Sequence, residues 1–322
     1  MRIVVYGAGA IGGVLGALLH QNGREVVLIA RGRHYEAIRD AGLKLETPVG
    51  QTVVDVPVVD SAAGIEWGDG DIVVLGMKTQ DTVDALAGLV AAGGRGVPVV
   101  CAQNGVESER MALRTGSDVY GVCVMCPAAH LEPGVVQAFS VPSPGILDVG
   151  RYPHGSDAVA ESLAEAFRAA TFHAEARPDI MRWKYTKLLM NLGNAAEALS
   201  GPSARGSDIA RLARAEGIAV LGAAGIDFVS DEGFVERRGD LIRPRAIGGG
   251  PRPGGSSWQS LERSTGRIEA DYLNGEIALL GRLHGVPTPA NDVLQSAADD
   301  AARLRRPPGS MSADELLAAM KR

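Results

Sequence analysis

The sequence has little of several things that would mark particular functions. It has only three cysteines in 322 residues, too few for a disulfide framework, so a reducing cytoplasm is the expected compartment. Aromatic residues make up 4% of the chain, which leaves little surface for stacking nucleic-acid bases. The formal net charge is −6, so there is no overall basic field to hold a phosphate backbone, and no nucleic-acid partner is expected. No apolar run reaches the ~18 residues that read as a membrane span. The opening Met1-Arg2-Ile3-Val4-Val5-Tyr6 enters a strand at once, leaving no room for a signal peptide. His20, His34, His130, His154, His173 and His284 are scattered, with no HExxH and no G-x-S-x-G elsewhere. Cys123 and Cys126 form a CxxC, but positions i and i+3 on a strand face opposite ways. No second Cys/His pair has metal spacing, so no metal is expected.

What the chain does have is glycine, 42 of them, in an ordinary globular composition that is 46% hydrophobic and 22% charged. At roughly 150 residues per domain its length suggests about two domains. From Arg2 to about Arg177, short β-branched runs alternate with helical segments. The clearest runs are Ile3–Tyr6, Glu25–Ala30, Asp71–Gly76, Val97–Ala102 and Val119–Val124. Several are apolar without alternation, the mark of parallel strands covered on both faces. Helical patterns at Ile11–Gln21, Arg33–Ala41 and Thr82–Ala92 fall between them, which predicts a doubly wound sheet. Val135–Val141 and Ile146–Val149 look more antiparallel. After Pro178 the strand signals nearly vanish and Ile180–Leu199, Ser207–Gly225, Ser257–Leu283, Ala290–Leu304 and Ala313–Met320 read as helices. The expectation is an α/β chain with a Rossmann-type domain over 1–177 and an all-helical domain over 178–322. Ile247–Gly255, rich in glycine and proline, reads as a mobile loop between helices.

Gly7-Ala8-Gly9-Ala10-Ile11-Gly12 is a GxGxxG placed directly after the first strand and opening an apolar helix. Gly7 makes the tight turn, Gly9 lets the backbone approach a pyrophosphate, and Gly12 lets helix and strand pack closely. The free N–H groups of the helix N-terminus then face the phosphates. The second strand ends Ile29-Ala30-Arg31-Gly32-Arg33-His34, without the carboxylate that binds an NAD ribose. Arg31 offers instead a planar fork for a 2′-phosphate, with Arg33 either helping or merely solvated, which predicts NADP(H).

Two polar tips follow apolar strands, Lys78 in Met77-Lys78-Thr79-Gln80-Asp81 and Asn104 in Gln103-Asn104-Gly105. Ligands bind open α/β sheets at such strand ends, although Asn-Gly is equally ordinary turn chemistry. Lys187, Asn191 and Asn194 lie at i, i+4 and i+7 and share one face of the expected helix, with Lys184 one turn earlier. That stripe is either a site or the helix's wet side. Ser257 reads as a helix cap or a ligand contact, and Glu269 as a surface carboxylate or part of a site.

Together these motifs resemble the ketopantoate reductase (2-dehydropantoate 2-reductase) family over nearly the whole chain. The marks are GAGAIGG at Gly7–Gly13, KTQD at Lys78–Asp81, QNG at Gln103–Gly105, Pro133-Gly134, K-x-x-x-N at Lys187–Asn191, Ser256–Ser257 and GRIEADYLNG at Gly266–Gly275. The resemblance implies that Lys187 is the general acid protonating a ketone oxygen as hydride arrives from NADPH. It implies that Asn104 contacts cofactor and substrate and that Asn191 and Ser257 contact the substrate; Asn194, on the same expected helix face, is a further candidate for the substrate. Glu269 would serve the cofactor and the site's hydrogen bonds, and Lys78 would lie near the cofactor. The chain departs from the family where Ala195 replaces a second asparagine, where Trp258 follows Ser257, and where Trp183 stands four residues before Lys187. Lys184 therefore competes with Lys187 for the acid role. The implied reaction reduces a 2-keto acid, with ketopantoate first, in pantothenate biosynthesis. The alternatives are another 2-keto acid or related carbonyl compound on the same fold, or an NADP(H)-binding sensor without turnover. A homodimer is compatible with the sequence but specified by no pattern in it.

Overall fold

The computed structural model describes residues 1–320. In chain order the first elements are β1 (Arg2–Tyr6), α1 (Ala10–Gln21), β2 (Val26–Ile29), α2 (Gly32–Ala41), β3 (Leu43–Thr47), β4 (Gly50–Val54), β5 (Val58–Val59), β6 (Asp71–Leu75), α3 (Thr82–Ala91), β7 (Val99–Cys101), α4 (Ser108–Ala112) and β8 (Val119–Met125). Next come β9 (Ala128–Ala129), β10 (Val135–Ala138), β11 (Ser140–Pro142), β12 (Ile146–Arg151), α5 (Ala158–Ala169), α6 (Ile180–Asn191), α7 (Asn194–Ser200), α8 (Asp208–Ala223) and α9 (Asp231–Arg238). The chain continues through β13 (Ile242–Pro244), α10 (Ser256–Glu262), α11 (Asn274–His284), α12 (Pro289–Arg303) and α13 (Ala313–Ala319). It divides into two compact units. The first holds Met1–Asn104, Ser108–Lys184 and Asp231–Arg252, and the second Gly105–Glu107, Tyr185–Ser230 and, among the described residues, 253–320.

The first unit is built on a seven-stranded sheet in the order β12-β8-β7-β6-β1-β2-β5. Its neighbours run parallel except β12, which pairs antiparallel with β8. Successive residues of β1 enter opposite layers. Ile3 and Val5 pack with Leu15, Leu19, Leu163 and Phe167 from α1 and α5. Val4 and Tyr6 pack with Leu86 and Leu89 from α3. A strand covered on both faces has no reason to alternate, which is why these runs read as unbroken apolar stretches. The strand order reverses between β1 and β6, and such a switch point opens a crevice at the carboxyl ends of the strands. A smaller sheet, β4-β3-β10-β9, lies in the same unit. Its β3–β4 hairpin is absent from the sequence reading because β4 is largely exposed and carries no apolar run.

The first unit departs from the expectation of a Rossmann part ending at 177. The first unit continues to Lys184 and takes back residues 231–252. Arg237 explains the return. Its Nε and Nη2 donate to both oxygens of buried Asp148 on β12, at 2.8 and 2.6 Å. Arg177 Nε adds a third bond to that carboxylate at 2.8 Å. The strand β13 then pairs antiparallel with β11, so a strand does occur after residue 178. In the expected loop, Ile247 and Gly250 exchange both backbone bonds in a closed turn.

The second unit is helical. α7 packs against α10 and α12, and α8 against α11 and α12, around buried Leu188, Leu189, Leu192, Leu221, Ile277 and Leu294. The expected single helix 180–199 is interrupted after Asn191 and restarts at Asn194. Buried Asn274 accepts the consequence, donating from Nδ2 to the Leu192 carbonyl at 3.0 Å. The expected helix 257–283 is also two helices. Ser264 and Gly266 take positive φ between them, so Ser257 and Glu269 stand on different elements.

Candidate active site

In the first unit, the expected nucleotide residues sit at the carboxyl ends of β1, β2, β6 and β7. Gly7 has φ +99, and a Cβ on it would lie 2.6 Å from the Met77 backbone nitrogen. A Cβ on Gly12 would lie 2.1 Å from the Gly7 carbonyl oxygen, and one on Gly76 would lie 2.8 Å from the Gly12 Cα. Turn, helix and neighbouring strand therefore meet with no room for side chains. Gly9 is the opposite case, since a Cβ there meets nothing within 4 Å. The Gly7 and Ala8 N–H groups are spent on the Ile29 carbonyl, at 3.0 and 3.3 Å. Those of Gly9, Ala10, Ile11 and Gly12 belong to the first turn of α1, where no carbonyl one turn back within the helix receives them. A backbone packed tightly behind and open in front at Gly9 fits a pyrophosphate on a helix N-terminus.

Arg31 is exposed at the end of β2, next to α2. Its guanidinium carbon lies 6.0 Å from the centre of the Tyr6 ring, and Nη2 donates to the Tyr6 hydroxyl at 3.4 Å. Arg33 is also exposed. Lys78 is half-buried in extended conformation after β6, leading into a 3-10 turn over Thr79–Asp81. Asn104 is half-buried after β7, and its carbonyl accepts from Thr79 Oγ1 at 3.3 Å. The Gln103 side chain donates to Thr82 Oγ1 at 2.8 Å. Lys78 and Asn104 thus stand on neighbouring strand ends joined by hydrogen bonds.

Lys184 shares α6 with Lys187 but falls in the first unit. Its ammonium lies 2.5 Å from Glu109 Oε1, with both side chains buried. It also donates to the Gln103 carbonyl at 2.9 Å. The buried cation is thus paired at the strand end that leads into Asn104.

The remaining expected residues belong to the second unit. Lys187 is half-buried on α6, and its Nζ donates to Asn191 Oδ1 at 3.3 Å, one helical turn on. Asn191 is buried. Asn194 does not extend their face, because the interruption places it at the start of α7. It is buried, and its Oδ1 has no hydrogen-bond partner among the described residues. Ser257 is buried in the first turn of α10 but does not cap it. Gly255 is the cap residue, and no side chain of the helix fills that role. Glu269 is buried just before a 3-10 turn over Ala270–Tyr272.

The sequence reading overlooked Glu197. Its buried carboxylate on α7 accepts the Gly255 N–H at 2.8 Å and an Arg205 N–H at 2.9 Å, so it holds the N-terminus of the helix that carries Ser257. The available signal was a glutamate inside an otherwise apolar helical stretch. Neither cysteine of the CxxC looks reactive. Cys123 Sγ lies 3.7 Å from the Trp183 carbonyl, and burial pushes the Cys126 thiol up to about 12. Among the described residues no group of three or more His, Cys, Asp or Glu is placed to hold a metal ion. No helix among them is long and apolar enough to cross a membrane.

Two family descriptions match the chain, ketopantoate reductase PanE/ApbA over residues 3–154 and its C-terminal counterpart over residues 179–301. The 2-dehydropantoate 2-reductase of Pyrococcus horikoshii is 29% identical over 303 residues, covering 91% of this chain and 95% of the relative. That of Mesorhizobium japonicum is 30% identical, covering 91% and 95%. Among solved structures, a PanE/ApbA family ketopantoate reductase from Ralstonia eutropha JMP134 superposes with a TM-score of 0.79 at 28% identity, covering 95% of this chain and 100% of the other. A D-mandelate dehydrogenase solved with NADH and anilino(oxo)acetate superposes with a TM-score of 0.76 at 26% identity, covering 94% and 99%.

Proposed function

Because the chain belongs to the ketopantoate reductase family, we propose that this oxidoreductase reduces a 2-keto acid with NADPH, ketopantoate being the lead substrate and Lys187 the proton donor. The glycine turn, Arg31, Lys78 and Asn104 lie in the first unit, and Lys187, Asn191, Asn194, Ser257 and Glu269 lie in the second. Within the expected division at 177/178, the Rossmann part holds the cofactor and the helical part supplies the proton.

NADPH, when bound, supplies a hydride to the keto carbon. Hydride addition leaves negative charge on the keto oxygen, and a nearby ammonium both stabilises that charge and provides the proton. The observation that carries the reading is the Lys187–Asn191 contact. One N–H of the ammonium is held by the amide oxygen of Asn191, which orients the group on α6. Lys184 is a poor rival because its charge is matched by Glu109 inside the first unit. The partnerless Oδ1 of Asn194 is a buried acceptor that a ligand hydroxyl would satisfy. Ketopantoate carries such a hydroxyl. Ser257, held in place through the Glu197–Gly255 bond, and the uncharged amide of Asn191 are donors for a substrate carboxylate.

Arg31 supports NADPH over NADH. It projects at the end of β2, and no Asp or Glu between Ile29 and His34 is there to repel a 2′-phosphate. The D-mandelate dehydrogenase relative makes NADH and an aryl 2-keto acid the competing pair. The test is NADPH and NADH oxidation with ketopantoate, 3-methyl-2-oxobutanoate, which lacks the hydroxyl, and benzoylformate. Highest kcat/KM with NADPH and ketopantoate supports the reading. Preference for benzoylformate would overturn the substrate assignment, and absence of turnover with all three would favour a nucleotide-binding sensor.

A further inference from the structure

His34, which none of the roles above uses, sits where two backbone segments of the first unit meet the glycine turn. Its Nε2 lies 2.7 Å from the Ala8 carbonyl oxygen, inside GxGxxG. Its Nδ1 lies 2.9 Å from the Gly134 backbone nitrogen, 100 residues further along the chain. Gly134 is itself anchored, its carbonyl accepting from the Lys44 N–H at 2.9 Å at the head of β3. The ring of His130 lies 4.1 Å from that of His34, centre to centre, with its own Nδ1 turned to the Val135 carbonyl at 2.9 Å.

These partners specify the proton positions on His34. A backbone N–H can only donate, so Nδ1 must present its lone pair to Gly134. A carbonyl can only accept, so Nε2 must carry the hydrogen. His34 is therefore the neutral Nε2–H tautomer, with each nitrogen matched to one backbone group. The bond to Ala8 has a second effect. Across a trans peptide the C=O and the following N–H point in opposite directions. Holding the Ala8 carbonyl from one side turns the Gly9 N–H to the other, and Gly9 is the position where an added Cβ meets only open space.

We propose that His34 is a positioning residue for the dinucleotide, fixing the 8–9 peptide of the glycine turn against the 130–134 segment so that the Gly9 N–H faces the pyrophosphate. This rests on the nucleotide reading above and goes beyond it by assigning the group that pre-orients the turn. Leucine at this position removes both hydrogen bonds. Glutamine carries an acceptor and a donor on one amide and can replace them.

The test measures NADPH binding by fluorescence titration alongside steady-state kinetics. His34→Leu is expected to weaken NADPH binding and raise the NADPH KM about tenfold, the worth of one ordinary net hydrogen bond. The kcat and the keto-acid KM should stay near wild type, and His34→Gln should recover most of the affinity. Equal NADPH binding by wild type and His34→Leu would overturn the inference. So would a glutamine variant no better than leucine, or a general loss of kcat. A second measurement needs no substitution: ring-nitrogen NMR of histidine-labelled wild type should show His34 as the Nε2–H tautomer, with its signals moving on addition of NADPH. A ring protonated at Nδ1, or signals indifferent to saturating NADPH, would also overturn it. If wild type bound neither NADPH nor NADH, the functional reading itself would fall. Tight wild-type binding with an indifferent leucine variant would sink only the role of His34.

Discussion

Replacing Lys184 by methionine tests whether this lysine is structural or chemical. The substitution keeps most of the side chain's length and removes an ammonium that touches Glu109 Oε1 at 2.5 Å, the Gln103 carbonyl at 2.9 Å and the Val122 carbonyl at 3.4 Å. The Lys184 and Glu109 side chains are 2% and 0% exposed, so solvent cannot take over the stranded carboxylate. Breaking one side of such a pair costs about 3–5 kcal/mol, out of a total stability that is typically ~5–15 kcal/mol. Removing both charges, as in Lys184→Met with Glu109→Leu, is expected to recover most of that loss. The assay is equilibrium urea unfolding followed by tryptophan fluorescence, because buried Trp183 adjoins the pair in the chain. Turnover is measured on the folded fraction in parallel. A stability loss under about 1 kcal/mol, or a double variant no better than the single one, would refute the reasoning. So would a stable Lys184→Met that had lost turnover while Lys187→Met kept it, since that would identify Lys184 as the acid.

Further outcomes follow from other parts of the structure. Arg31→Asp should move the kcat/KM preference from NADPH toward NADH, and an unchanged ratio would remove Arg31 from the nucleotide site. Gly12→Ala should destabilise the fold by about 1–3 kcal/mol through overpacking and weaken nucleotide binding, because the new Cβ falls 2.1 Å from the Gly7 oxygen; wild-type thermal stability would contradict that geometry. Asp299 has its carboxyl pushed up to about 7 by burial and by the neighbouring Asp271 and Asp300. An acid whose folded pKa is raised holds its proton longer in the folded state, so its contribution is complete below the ordinary carboxylate range and is lost as pH rises to about 7. Asp299 is half-buried, and screening reduces the effect to about 1–2 kcal/mol. Asp299→Asn should therefore gain stability relative to wild type as pH goes from 5 to 8, and parallel unfolding curves at the two pH values would contradict it.

Much of this architecture was legible because its signals are local. β1, β6, β7 and β8 are buried on both faces and show it as unbroken apolar runs, and the glycine turn needs only a strand before it and a helix after it. The β3–β4 hairpin lacks such a signal because β4 is largely exposed. The return of 231–252 to the first unit depends on Arg237 meeting Asp148, 89 residues apart, and neither residue is unusual in its own neighbourhood. The Lys187–Asn191 pair was readable from helical spacing, but Asn194 was not, because the interruption of the helix is stabilised by Asn274, 82 residues beyond the Leu192 carbonyl it satisfies. Lys184 does lie one turn before Lys187 on α6, but its ammonium is taken by Glu109 of the first unit. Helical spacing places side chains on a face without saying what that face meets. Glu197 and His34 escaped notice because each acts on backbone groups distant in sequence.

Single-turnover reduction of ketopantoate by Lys187→Ala, measured beside NADPH binding to the same variant, tests the assignment of the proton donor. The account expects NADPH affinity close to wild type and a reduction rate lower by at least about 100-fold, in line with the loss of a general acid. Reduction at the wild-type rate by a variant that binds NADPH normally would contradict it.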